Sequence, residues 1–152
     1  MIPSIHTAAI SLLLLSSPAL AGLISIWNYD GNYICGYEGD VLEYCPENGG
    51  QVMEGDSPSC DAFLSSGDAT SENLFYNNFP DSFNAPCPCG GPEGTDGLLD
   101  FYNTGNGYEV YWSGGDGTSL GHCNGNDGSK LCAITGTYSY AREYSCQLSA
   151  CC

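Results

Sequence analysis

The chain has 152 residues, of which 42% are hydrophobic and 13% charged, and it contains ten cysteines, 21 glycines and 11 tyrosines. Eighteen Asp and Glu stand against only two cations, Lys130 and Arg142, giving a net charge of −16 at neutral pH. A field of that sign repels phosphate backbones and anionic lipid surfaces, so it argues against nucleic-acid and membrane partners and favours a soluble monomer.

The amino terminus reads as an export signal. An apolar core from Ala8 to Leu15 is broken by Ser16, Ser17 and Pro18 and followed by Ala19, Leu20 and Ala21, the small-x-small pattern that signal peptidase accepts. The core is too short to span a bilayer, which takes ~18 apolar residues, and no second hydrophobic stretch follows. The expected layout is a secretory signal over residues 1–21 and one domain over 22–152, placed outside the cell. Across that domain no composition break marks a boundary, and its length suits a single core.

Gly, Pro, Asn, Asp and Ser recur every few residues and helix-period stretches are short, which predicts a β-rich fold, all-β or α+β, of antiparallel strands with one or two short helices. Leu23–Tyr29, Asn32–Tyr37 and Val41–Cys45 are the first strands, with Tyr33, Cys35 and Tyr37 expected on one face by their period of two. Ser57 and Pro58 open a short helix over residues 58–66, and a second helix is expected near Thr70. Leu99–Asn103 and Tyr108–Trp112 flank Thr104-Gly105-Asn106-Gly107, whose Asn-Gly step suits a hairpin turn. Ser113 to Gly128 reads as a long irregular loop fastened by Cys123. Leu131–Thr137 and Tyr138–Ser145 complete the strands, with Tyr138 and Tyr140 on one face.

All ten cysteines, Cys35, Cys45, Cys60, Cys87, Cys89, Cys123, Cys132, Cys146, Cys151 and Cys152, follow the proposed cut. An even number in an oxidising compartment predicts disulfides, and the absence of clustered histidines turns the reading away from metal, so no metal and no cofactor is expected. Cys87 and Cys89 are too close to pair comfortably, and adjacent Cys151 and Cys152 are closer still, so these four are expected to reach distant partners. At about 2–4 kcal/mol per bridge, the set rivals the net stability of such a domain.

Three motifs bear on chemistry. Gly117-Thr118-Ser119-Leu120-Gly121 fits the G-x-S-x-G elbow of serine hydrolases, with His122 next to it. The order is wrong for that fold, since no histidine lies beyond His122, and an abundance of Gly and Ser makes a chance match easy, so no catalytic residue is assigned. Gly114-Gly115-Asp116-Gly117-Thr118-Ser119 approaches a calcium-binding repeat but occurs once and has Ser119 where Asp is required, and Asn124-Gly125-Asn126-Asp127-Gly128 lacks the spacing and closing Glu of a calcium loop, so both read as solvated turns. The aromatic content is the third lead. Tyr and Trp on an open β-face stack on sugars or anchor interfaces, and Tyr108, Trp112, Tyr138 and Tyr140 are the candidate binding residues. The alternative is that these rings fill a core poor in Leu, Ile and Val while their hydroxyls reach the surface.

In layout and composition the chain resembles the small cysteine-rich secreted proteins of filamentous fungi, including effector candidates of plant-associated species. Tyr33-Ile34-Cys35 is similar to the aromatic-x-Cys motif near the mature amino terminus of mildew and rust effectors. The resemblance implies a non-enzymatic, effector- or toxin-like protein that binds a host extracellular protein. A module binding chitin or glucan in a cell wall is the alternative, and behind it a small secreted hydrolase.

Overall fold

The computed structural model describes residues 22–66, 80–92, 96–133 and 136–150. The proposed signal over residues 1–21, the helix expected near Thr70, and Cys151 and Cys152 lie outside them. Among the described residues seven strands form one sheet, β1 (Gly22–Glu38), β2 (Val41–Glu54), β3 (Ser82–Pro86), β4 (Leu98–Asn103), β5 (Gly107–Trp112), β6 (Ser119–Ala133) and β7 (Gly136–Leu148), with one helix, α1 (Cys60–Ser65), following β2. Every described ladder is antiparallel, and the spatial order is β2-β1-β7-β6-β5-β4-β3. Read around the sheet, this is an up-and-down meander in which the last strand returns to pair with the first. The sheet curls into a nearly closed barrel whose seam falls between β2 and β3. Val52–Gly55 on one side, Ala85–Pro88 on the other and α1 residues Ala62 and Ser65 line a cavity of about 560 Å³ at that seam.

Alternation along the strands builds the barrel interior. Leu99 and Phe101 of β4, Val110 and Tyr108 of β5, and Phe83 and Ala85 of β3 all point inward and are buried, while their neighbours face out. Ile24, Ile26 and Val52 join the same cluster from the other side of the seam, which is what the curl accomplishes. Aromatic rings supply the volume that a core short of aliphatic residues needs: Phe83 stacks on Phe101 at 4.4 Å, and Tyr108 meets Phe83 and Tyr144 edge-on, each at 5.2 Å. Cys123 and Cys146, opposite each other on β6 and β7, close a disulfide inside this core.

A second cluster lies on the outer face of β1 and β7. Trp27, Tyr29, Tyr138 and Tyr140 would be exposed there, but α1 covers them, with Phe63 stacked on Tyr140 at 4.0 Å and edge-on to Trp27 at 5.1 Å. The helix is short, so it relies on fastenings. Ser59 caps it by accepting from the Ala62 amide, at 3.1 Å, and Cys60 is bonded to Cys132 of β6. Both cations of the chain serve the same purpose. Lys130 Nζ donates to the Pro58 carbonyl, and Arg142 Nη1 donates to the Asp56 carbonyl at 2.7 Å with Asp56 Oδ1 3.7 Å away. Arg142 Nη2 also donates to Asn126 Oδ1 and to the Asp127 carbonyl, and the guanidinium lies over the Trp27 ring.

Several boundaries differ from the sequence reading. The first two expected strands are one continuous β1 of 17 residues. The stretch from Ser113 to Gly128 is not one long loop, because β6 begins at Ser119. Its glycines misled: Gly121 sits in the strand at φ +152, where a Cβ would overlap the Gln147 carbonyl of β7, so close strand approach is what it provides. The helix occupies Cys60–Ser65 and is capped by Ser59, two residues beyond the expected Ser57.

Candidate functional site

β1 and β2 outrun the rest of the sheet. The ladder between β1 and β7 ends at the Tyr33–Gly136 pair, so residues 34–45 are paired only with each other and project as a two-stranded arm. A free hairpin of this size is marginal in water. Here it is stapled by the Cys35–Cys45 disulfide and turned by Gly39, whose φ of +65 suits a residue without a side chain.

The staple sits beside an irregularity that sets the chemistry of the two faces. Ile34 pairs with Tyr44 and Gly36 with Glu43, leaving Cys35 as an extra residue in a bulge. Beyond the bulge Tyr37 pairs with Leu42, so Tyr37 shares a face with Ile34, Leu42 and Tyr44. The expected face of Tyr33, Cys35 and Tyr37 does not form, because a one-residue insertion inverts the alternation. The resulting apolar face is open to solvent: Tyr37 is 73% exposed and Tyr44 56%. Leu42 and Ile34 are exposed beside them. Tyr33, beside the disulfide, and Val41, at the turn end of the arm, are exposed on the opposite face. The ionisable side chains of the arm besides its tyrosines are Glu38, Asp40 and Glu43, all acidic. Cys35, Glu43 and Cys45 bring their ligand atoms within 4.8 Å of one another, but both sulfurs are spent in the disulfide and only the Glu43 carboxylate is left to a cation.

The tyrosines proposed from sequence do not form an exposed patch. Tyr108 is fully buried, Tyr138 and Tyr140 lie under α1, and Trp112 is half-buried against the barrel core. Two of them have their hydroxyls satisfied from within the domain. Tyr108 donates to the Pro80 carbonyl at 2.9 Å and Tyr138 to Glu47 Oε2 at 2.9 Å. Burial, followed by the bond to Glu47, pushes the Tyr138 hydroxyl up to about 12, and burial raises Tyr108 further. The exposed edges of Tyr138 and Tyr140 open onto a cavity of about 240 Å³ beside Glu47 and Gln51.

Ser119 and His122 do meet a carboxylate, in an order unlike a triad. Ser119 Oγ donates to Glu109 Oε1, and His122 Nδ1 lies 3.2 Å from Glu109 Oε2, so glutamate is the central member. The hydrogen bond from Ser119, ahead of that from His122, lowers the Glu109 carboxyl below its ordinary range, which makes it a weaker base toward the serine. Ser119 opens a strand and not a strand-turn-helix elbow. Of the remaining cysteines, Cys87 and Cys89 are disulfide-bonded, and among the described residues none is a free thiol. Among the described residues no helix is long and apolar enough to cross a membrane.

Comparison of the chain with protein-family models, with curated proteins and with solved structures finds no match. The architecture is that of a small, cysteine-rich, disulfide-stabilised β domain, and function has to be argued from its surface.

Proposed function

We propose that this is a secreted, non-enzymatic binding protein that engages a basic protein partner outside the producing cell through the stapled arm. The observation that carries the reading is the apolar face of Ile34, Tyr37, Leu42 and Tyr44, held open to solvent on an arm whose charged side chains, Glu38, Asp40 and Glu43, are all acidic. Exposed aromatic side chains on a rigid support anchor interfaces at low entropic cost, and a staple outside both hydrophobic cores pre-organises that support. A second copy of the chain is a poor occupant, since two molecules of net charge −16 repel each other. A partner carrying Lys and Arg around an apolar centre complements the arm in both respects. The resemblance of layout and composition to small cysteine-rich secreted proteins of filamentous fungi supports reading that partner as a host protein and the chain as an effector or toxin.

The test uses the oxidised mature protein and a Tyr37→Ser, Leu42→Ser, Tyr44→Ser variant, each immobilised and challenged with host extracellular fluid. Expected is a basic protein retained by the first, lost from the second, and displaced by salt or by soluble unmodified protein. Retention of the same proteins by both, or retention of nothing by either, refutes the assignment.

A further inference from the structure

We infer that the outer face of β3–β6, remote from the arm, is a binding platform for a neutral β-linked polysaccharide. Among the described residues no helix lies over this half of the sheet, unlike the outer face of β1 and β7. Its outward positions alternate with the buried Leu99, Phe101 and Val110, and the strand registers set them in two rows. In one, Tyr102 stands between Ser82 and Glu109, with His122 next. In the other, Asp100 stands between Asn84 and Tyr111, with Ser119 next. Tyr102 is half exposed and meets Tyr111 edge to face across the rows, with ring centroids 5.7 Å apart.

The polar groups of this face decide its ligand. Asp100 accepts from the Asn84 amide, and Glu109 holds Ser119 and His122, so both carboxylates already have donors and are fixed in direction. An anion is repelled by these two groups and by the whole molecule, and an apolar protein surface would strand them without water. A sugar suits them. The C–H face of a pyranose stacks on one tyrosine while the edge of the other ring stands beside it, and its hydroxyls serve as donors to the carboxylates and acceptors from the amide and imidazole. An exposed face holds a ligand through repeated weak contacts, which selects a polymer of flat, equatorially substituted residues over a single sugar. Chitin, cellulose and β-glucan share that shape.

The experiment is co-sedimentation of the oxidised protein with each insoluble polymer, comparing the unmodified chain with Tyr102→Ala and Tyr111→Ala singly and together, and with the arm variant. The expected result is binding to at least one polymer that changes little between about 0.05 and 0.5 M salt. Each single replacement should weaken it by about tenfold, while the arm variant binds as before. Absence of binding to all three polymers, or equal binding by the double variant, overturns the inference. Loss of polymer binding in the arm variant overturns it too. Because the arm and this face are altered separately, failure of one assignment leaves the other standing.

Discussion

Replacing Arg142 by methionine keeps an unbranched aliphatic stem and removes the guanidinium that lies over Trp27. Three well-formed bonds disappear, those to the Asp56 carbonyl at 2.7 Å, Asn126 Oδ1 at 3.2 Å and the Asp127 carbonyl at 3.1 Å. Charge-assisted bonds contribute about 1.5–3 kcal/mol each, but these acceptors lie near the surface and regain water, so about 1 kcal/mol apiece is the fair figure, ~3 kcal/mol together. For a domain of this size that lowers the melting midpoint by roughly 10 °C. Arg142→Lys keeps the charge without the planar fork and should recover less than half of the loss. Thermal and urea melts at neutral pH with disulfides intact measure both, and amide exchange in residues 56–65 should rise before the rest of the sheet. A drop below about 1 kcal/mol for the methionine variant, or full recovery by lysine, would refute the view that this side chain fastens the β2–α1 connection.

Other outcomes follow from the same geometry. The raised Tyr138 hydroxyl favours the neutral form in the folded state, so its stabilisation is complete below pH 10 and lost as pH climbs toward about 12; tyrosinate absorbance should show a late step that Tyr138→Phe removes. On the acid side, burial raises the Glu143 carboxyl above its ordinary value of 4.5, so a melt at pH 5 should have a higher midpoint than one at pH 7.5, until the stabilisation of ionised Glu109 is lost below about 4.5. Cys35→Ser with Cys45→Ser should leave the global midpoint within about 2 °C while arm amides lose protection, because the arm lies outside both cores. Cys123→Ser with Cys146→Ser, which opens a bridge of separation 23 in the barrel interior, should cost about 3 kcal/mol or more in urea melts. Gly31→Ala places a Cβ against the Tyr138 ring and 2.7 Å from the Thr137 carbonyl, and a loss of about 2 kcal/mol is expected in the same assay.

The hairpin of β4 and β5 was legible because its alternation is uninterrupted and its turn residues are plain. β3 was missed, since Ser82–Pro86 is short and carries only Phe83 and Ala85 as inward residues. The second half of β2 was also missed. The expected strand stops at Cys45 before Pro46, Asn48, Gly49 and Gly50, yet β2 is an edge strand, where a proline is tolerated, and Gly49 lies beneath the Tyr29 ring, 2.8 Å from where a Cβ would stand. The tyrosines chosen as binding candidates are buried for a related reason. Period-two alternation puts Tyr138 and Tyr140 on one face but does not say that a helix will cover it. Sequence pattern is likewise blind to the bulge at Cys35, which gathers the exposed apolar face of the arm. Tyr102 and Tyr111 could have been found, because they alternate with Phe101 and Val110 in the most readable part of the chain.

The strand order also constrains how the molecule can be made. β1 lies between β2 and β7, with Gly22 opposite Leu148, so the earliest described strand waits for the latest before it gains its second neighbour. The β1–β2 hairpin and its Cys35–Cys45 bond need only local chain, with a separation of 10. Cys60 must await Cys132, 72 residues on, and the barrel can close only after β7 has been synthesised. Contacts of such long separation slow folding. Oxidation should therefore proceed from the arm inward, and an intermediate bearing the arm bond alone would already display the proposed docking face before the barrel has closed.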